Sequence, residues 1–173
     1  MAKKLFRIET EKIESFGGLG GDGYWAKNSM PNLEHWTGDL PNLYDGMSAF
    51  SWMGSLTSFT GNIGKEGGDA IAYAFFSGSE NLKTFTGDYI FAGSTQSMFD
   101  GCTNLKEFNV GKVYVEGRAA WMFASTGFEH FEHFDFQTGP PWGMFQGSAV
   151  KTVNMPNYKV YEGISMFTDC KNL

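Results

Sequence analysis

No stretch of the chain approaches the roughly 18 consecutive apolar residues that a membrane-crossing helix needs. The N-terminus also lacks the apolar segment that a secretory leader places between its basic start and its cleavage site. The sequence therefore predicts a soluble protein without membrane insertion that is not exported by the general secretory route, and Met1-Ala2-Lys3 reads as a native start. Basic residues are scarce: 13 Lys and Arg stand against 19 Asp and Glu, for a net charge of -6 and a pI near 5.0. Nucleic-acid binding draws most of its affinity from clustered cations that neutralise phosphates, so nucleic acid is not an expected partner. The one basic cluster, Lys3, Lys4 and Arg7, is soon followed by Glu9, Glu11 and Glu14 and reads as a solvated terminus. Motifs of catalysis are missing as well. No Ser-His-Asp order, Cys-His pair, GxxxxGK loop or dinucleotide GxGxxG context occurs, and GGLGGDG at 17–23 lacks the Lys and the following helix pattern of a phosphate loop. It reads as a flexible connection, and neither an enzyme nor a cofactor is expected.

What the chain has is Phe (17), Gly (23) and a repeat. The clearest unit is SMFDGCTNLKEFNV at 97–110, followed by WMFASTGFEHFEHF at 121–134, GMFQGSAVKTVNM at 143–155 and SMFTDCKNL at 165–173. Upstream, FFSGSENLKTF at 75–85 matches the unit, AFSWMGSLTSF at 49–59 matches more loosely, and PNLEHWTGD at 31–39 keeps its second half. An anchor column reads Leu33, Leu56, Leu82, Leu105, Phe128, Val150 and Leu173, at spacings of 22 to 26 residues. Three residues later come Trp36, Phe59, Phe85, Phe108, Phe131 and Val153. Apolar residues at 0, +3 and often +5 describe a short strand entered from a turn, with alternate side chains facing a shared interior. One such unit is too small to fold alone. Stacked units form parallel strands about 4.8 Å apart around a continuous aromatic core.

The MFxGCxxLxxL unit resembles the leucine-rich repeats of the BspA-like bacterial surface protein family over residues 31–173, with several consensus leucines replaced by Phe. The resemblance implies a mainly β, leucine-rich-repeat-like solenoid of six to seven coils with a parallel β-sheet. It also implies adhesion or protein binding, and hence association with a cell surface. Residues 1–24 are expected to form an N-terminal arm and glycine-rich hinge, and residues 25–173 the solenoid. The arm alternates well enough for a strand, with Leu5, Phe6, Ile8, Ile13 and Phe16 as its apolar, assembly-competent side chains. It docks either on its own solenoid or on a neighbour. At the far end the chain reaches the anchor Leu173 without its strand and without an obvious polar cap. A shortened chain, a self-capping arm and a subunit completed by another chain all fit.

Four groups of side chains are candidates for chemistry or recognition. Cys102 and Cys170 share one repeat position and, three coils apart, stand about 14 Å from one another, too far for a disulfide. Both read as buried thiols, and two separated sulfurs do not make a metal site. The segment FEHFEHFDF at 128–136 gathers Glu129, His130, Glu132, His133 and Asp135, but a strand sends His130 and His133 to opposite faces. His133 falls on the inward +5 column with Val110 and Met155 and reads as a core-edge histidine with a hydrogen-bond partner; a zinc ligand is the sharper alternative. Outward columns at +2, +4 and +6 carry Thr37, Thr60, Asn62, Thr86, Asn109, His130, Glu132, Phe134 and Asn154. These either solvate the sheet through cross-strand pairs or form a recognition face with its hot spot at Phe134 and His130. Trp121 and Trp142 flank the Met-Phe box and are expected to pack on the opposite side.

The function expected from these features is non-enzymatic: a structural or adhesive recognition module working in an assembly, such as an accessory protein of a virion or a bacterial surface. Its partners would be proteins or other copies of itself. A monovalent domain for host protein or cell-surface glycan, using the strand face, is the alternative, and a metal-dependent enzyme centred on His130 and His133 is a third.

Overall fold

The computed structural model describes residues 12–16, 30–159 and 163–173. Leu5, Phe6 and Ile8 of the expected arm and the glycine run at 17–23 lie outside the described residues. The described chain is mainly β, with parallel strands stacked into a β-solenoid of about five turns. Triplets centred on the +3 residue recur along the body: β1 (His35–Thr37), β2 (Ser58–Thr60), the starts of β3 (Thr84–Ala92) and β4 (Glu107–Val115), β5 (His130–Glu132) and β7 (Thr152–Asn154). The central residue of each triplet faces the core and its polar neighbours face water, because successive side chains on a strand alternate. β6 (Phe136–Thr138) completes the second corner of the coil.

Two sheets result where the repeat alone suggests one. β1, β2, β3, β4 and β6 form a five-stranded sheet, and β5 pairs with β7 alone. β4 reaches the next turn through Val113 opposite Phe136, not through its first half. The triplet column is thus interrupted between 107–109 and 130–132, while the ring of Phe108 still stacks on Phe131 (6.0 Å, 27°).

Across the core from the triplets runs a ribbon of turns at 46–53, 72–79, 95–101, 119–125, 142–148 and 164–170. Its hydrogen bonds point along the solenoid axis. The amides of Ala72, Ala74, Phe76 and Gly78 donate to the carbonyls of Ser94, Gln96, Met98 and Asp100, and the same pattern links the neighbouring turns. Two residues per turn, four apart, hold this geometry with φ between 49 and 75°: Ser48 and Trp52, Ala74 and Gly78, Ser97 and Gly101, Trp121 and Ser125, Gly143 and Gly147, Ser165 and Asp169.

Two aromatic ladders fill the interior. Trp36, Phe59, Phe85, Phe108 and Phe131 stack along the triplet side at 5.2 to 6.0 Å between centroids. Phe50, Phe76, Phe99, Phe123, Phe145 and Phe167 stack along the ribbon side at 5.3 to 5.7 Å. The ladders interlock edge to face, as at Phe59–Phe76 (76°), Phe85–Phe99 (77°) and Phe108–Phe123 (75°). Edge-to-face and offset-stacked pairs align the positive ring edge or an offset face with the negative face of the partner, adding about 0.5–1.5 kcal/mol per pair beyond burial.

Phe16 closes the N-terminal end. Its ring meets Trp36, Phe50 and Phe75 edge-on at 5.5 to 6.3 Å, its amide donates to the Asp45 carbonyl, and Ser15 bridges Asp45 in parallel. Ile13 packs against the same core. These two residues of the expected arm therefore pack against the chain's own core.

Phe99→Ala removes a rung that touches both ladders and is expected to lower unfolding stability by about 3–5 kcal/mol, read from urea denaturation. Gly101→Ala meets no close atom, since the nearest neighbours, in Gly78, stand at 3.5 Å. With φ at 75° the same assay should report a loss of about 1–2 kcal/mol from backbone strain alone.

Candidate functional site

The strand face places the expected recognition residues as follows. Thr37, Thr60, Thr86 and Asn109 lie in register in one exposed column, and Glu132 pairs with Asn154 beyond the interruption. His130 lies opposite Thr152, and Phe134, 58% exposed, stands past the end of β5. Much of the polar surface is turned sideways into its neighbours. His130 Nδ1 shares a hydrogen bond with Thr152 Oγ1 (2.8 Å), Asn154 Nδ2 donates to Glu132 Oε1 (2.9 Å), and Lys151 Nζ pairs with Glu129 Oε2 (2.7 Å). That last contact holds the Glu129 carboxyl below its ordinary range. Asn62 is a correction to the outward column: it is buried, its Oδ1 accepting from the amides of Asp88 and Tyr89 (2.7 and 3.0 Å), because the bend after β2 needs an acceptor that the neighbouring backbone does not supply.

His133 is inward, as its column requires, and buried against Phe108, Phe131 and Phe136 at 5.3 to 6.5 Å between ring centroids. The expected hydrogen-bond partner is absent: neither ring nitrogen is bonded among the described residues. The surrounding faces are phenyl rings, which offer no acceptor in line. The backbone of Val110 is near enough to favour the protonated ring electrostatically without hydrogen-bonding geometry, as is Asp135. Burial outweighs both and holds the imidazole below its ordinary value. His130 is exposed, so the two histidines point to opposite sides of the strand. Among the described residues no three His, Cys, Asp or Glu side chains come together as a metal site.

The cysteines share a structural position with hydroxyl residues. Cys102 Sγ donates to the Phe76 carbonyl (3.2 Å) as Ser79 Oγ donates to that of Phe50 (2.6 Å) and Cys170 Sγ to that of Phe145 (2.9 Å). Each ties one turn of the ribbon to the carbonyl of the Phe rung before it. Burial pushes the Cys102 thiol far up, which leaves it without thiolate character. Cys170 corrects the expectation of two buried thiols: it is only partly covered, because its turn is the last one described.

The ribbon face carries more exposed aromatic side chains than the strand face. Trp121 and Trp142, expected to pack away, are 38% and 40% exposed, and Met47, Trp52, Tyr73 and Ile164 join them on the same side. Their positions within the turn send the side chains outward while the Met-Phe pair goes inward. Four of them share an offset that the sequence shows: Met47, Tyr73, Trp142 and Ile164 each stand two residues before the first member of that pair or the equivalent position, whereas Trp121 stands one residue before it and Trp52 two residues after Phe50.

No protein-family model matches the chain, and neither a curated protein nor a solved structure matches it. No helix among the described residues is long and apolar enough to cross a membrane.

The buried imidazole gives a pH dependence with a definite sign. Its folded-state pKa lies below the ordinary 6.5, so the unfolded chain takes the proton first and stability falls as pH drops below about 6.5. The thermal midpoint should decline from pH 7.5 to 5, and His133→Leu should remove part of that decline, the difference between the two proteins isolating the ring. Equal slopes would show that His133 does not titrate in this window.

Proposed function

We propose that the chain is a non-enzymatic recognition module working within an assembly, of the kind that an accessory protein of a virion or a cell surface would supply. The observation that supports this best is the display itself: exposed side chains repeated in register on a body whose interior is two interlocked aromatic ladders. Such a body presents a long surface with little conformational freedom to lose on binding. A leucine-rich-repeat-like solenoid of the BspA type, with six to seven coils, is the reading favoured by the 22 to 26 residue period of the anchor column and by the burial of Leu56, Leu82, Leu105, Phe128 and Val150 at equivalent places.

Attachment falls to Leu5, Phe6 and Ile8, since Ile13 and Phe16 are engaged by the first coil. Ligand binding through the strand face is the weaker reading, because His130 and Glu132 are occupied by Thr152 and Asn154. The native mass by light scattering, with and without residues 1–11, tests the assembly role while leaving Phe16 in place. An oligomer that falls to the monomer on truncation is expected; a monomer in both forms overturns it.

A further inference from the structure

We propose that the ribbon face is a binding surface for a neutral, linear glycan, with Trp52, Trp121 and Trp142 as stacking platforms. The inference does not depend on the assembly role, which concerns residues 1–11 and a different measurement.

The ribbon segments at 46–53, 72–79, 95–101, 119–125, 142–148 and 164–170 contain two charged residues, Asp100 and Asp169, in a protein that is 18% charged. Their outward side chains are Met47, Trp52, Tyr73, Trp121, Trp142 and Ile164, between which stand Ser, Thr and Gln. An anionic polymer or an acidic peptide would meet no cation within these segments, and the two carboxylates stand on turns that carry no tryptophan. A neutral ligand loses nothing on such a face.

Two of the indoles are fixed. Trp52 lies face-on over Gly78 of the next turn, where an added Cβ would stand 2.7 to 2.9 Å from three of its ring atoms. Trp121 meets Gly143 of the next turn with the pyrrole edge of its ring, where an added Cβ would stand 2.5 Å from Nε1 and 2.7 Å from Cδ1, and that Nε1 donates to Gln146 Oε1 (3.1 Å). Each ring is thus held against a glycine of the next turn, Trp52 by its face and Trp121 by its edge, with 53% and 38% of the residue still open to solvent. A held aromatic plane with amphipathic surroundings suits the C–H face and rim hydroxyls of a pyranose.

The dimensions separate this ligand from a second copy of the chain. Five coil steps from Met47 to Ile164 span about 24 Å, and the five residues from Met47 to Trp52 span at most about 17 Å. The footprint of roughly 400 Å² is half of the 800 Å² per partner that a stable protein interface buries. A long, narrow strip with few charges fits an extended polymer.

Affinity electrophoresis in native gels cast with hydroxyethyl cellulose, mannan, xylan or dextran, and with heparin as the anionic comparison, tests the inference. The chain's net charge of -6 drives its migration. Retardation by at least one neutral polymer and not by heparin is expected. The double variant Trp121→Ala/Trp142→Ala should weaken it at least tenfold, with the circular-dichroism melt unchanged; Trp52→Ala serves as the second variant should the double one melt early. Free migration in every neutral gel overturns the proposal, as does retardation that survives both variants. A concentration-dependent doubling of mass that the double variant abolishes also overturns it, by assigning the face to another copy.

Discussion

Ring-on-ring contact between consecutive turns is the constraint from which the rest of this structure follows. Parallel strands repeat at about 4.8 Å, closer than the 5.2 to 6.0 Å between the stacked ring centroids. The rings meet this mismatch by offset and tilt, and the second ladder fills the space between rungs edge-on. A leucine side chain packs without such angular demand. Replacing it with Phe makes each turn depend on the orientation of the one before, so register is set by the interior as well as by the hydrogen bonds of the sheet.

The ribbon answers the same constraint in its backbone. To bring Phe50, Phe76, Phe99, Phe123 and Phe145 inward at every turn, the chain takes left-handed φ twice per coil and bonds along the axis. Ser79, Cys102 and Cys170 then serve one purpose, donating to the carbonyl of the preceding Phe rung. Thiol and hydroxyl are interchangeable there because the site asks for one small donor and no reactivity. Where a side chain does not suit this arrangement, as with His133 among phenyl rings, it is left among the described residues with unbonded nitrogens, and burial lowers its affinity for a proton.

The period of the chain made its architecture legible. The anchor column and the +3 aromatic column recur at one spacing, and a 2-residue alternation around Trp36, Phe59 and Phe85 leaves little choice of face. The extension of β3 and β4 around the corner was not legible, because Ile90 and Val113 sit in segments that differ from turn to turn. Nor was the ribbon geometry: Ser48, Ala74 and Trp121 take positive φ without the glycine that would announce it. The strand-face residues could be placed by alternation, but whether His130 and Glu132 were free or paired depended on the neighbouring coil. The exposed tryptophans read as packing residues in the sequence because hydrophobicity alone does not distinguish an inward Phe99 from an outward Trp121; the turn conformation does.

Hydrogen exchange followed by mass spectrometry is the most direct test of the claim that the two ladders act as one cooperative unit. Opening a rung requires both sides of the core to separate, so the ribbon amides of Phe76, Phe99 and Phe123 and the strand amides of Phe85 and Phe108 should exchange with similar, high protection. Fast exchange in the ribbon with the strands still protected would contradict the account, because the solenoid would then be held by its sheet and the aromatic zipper would be a passenger.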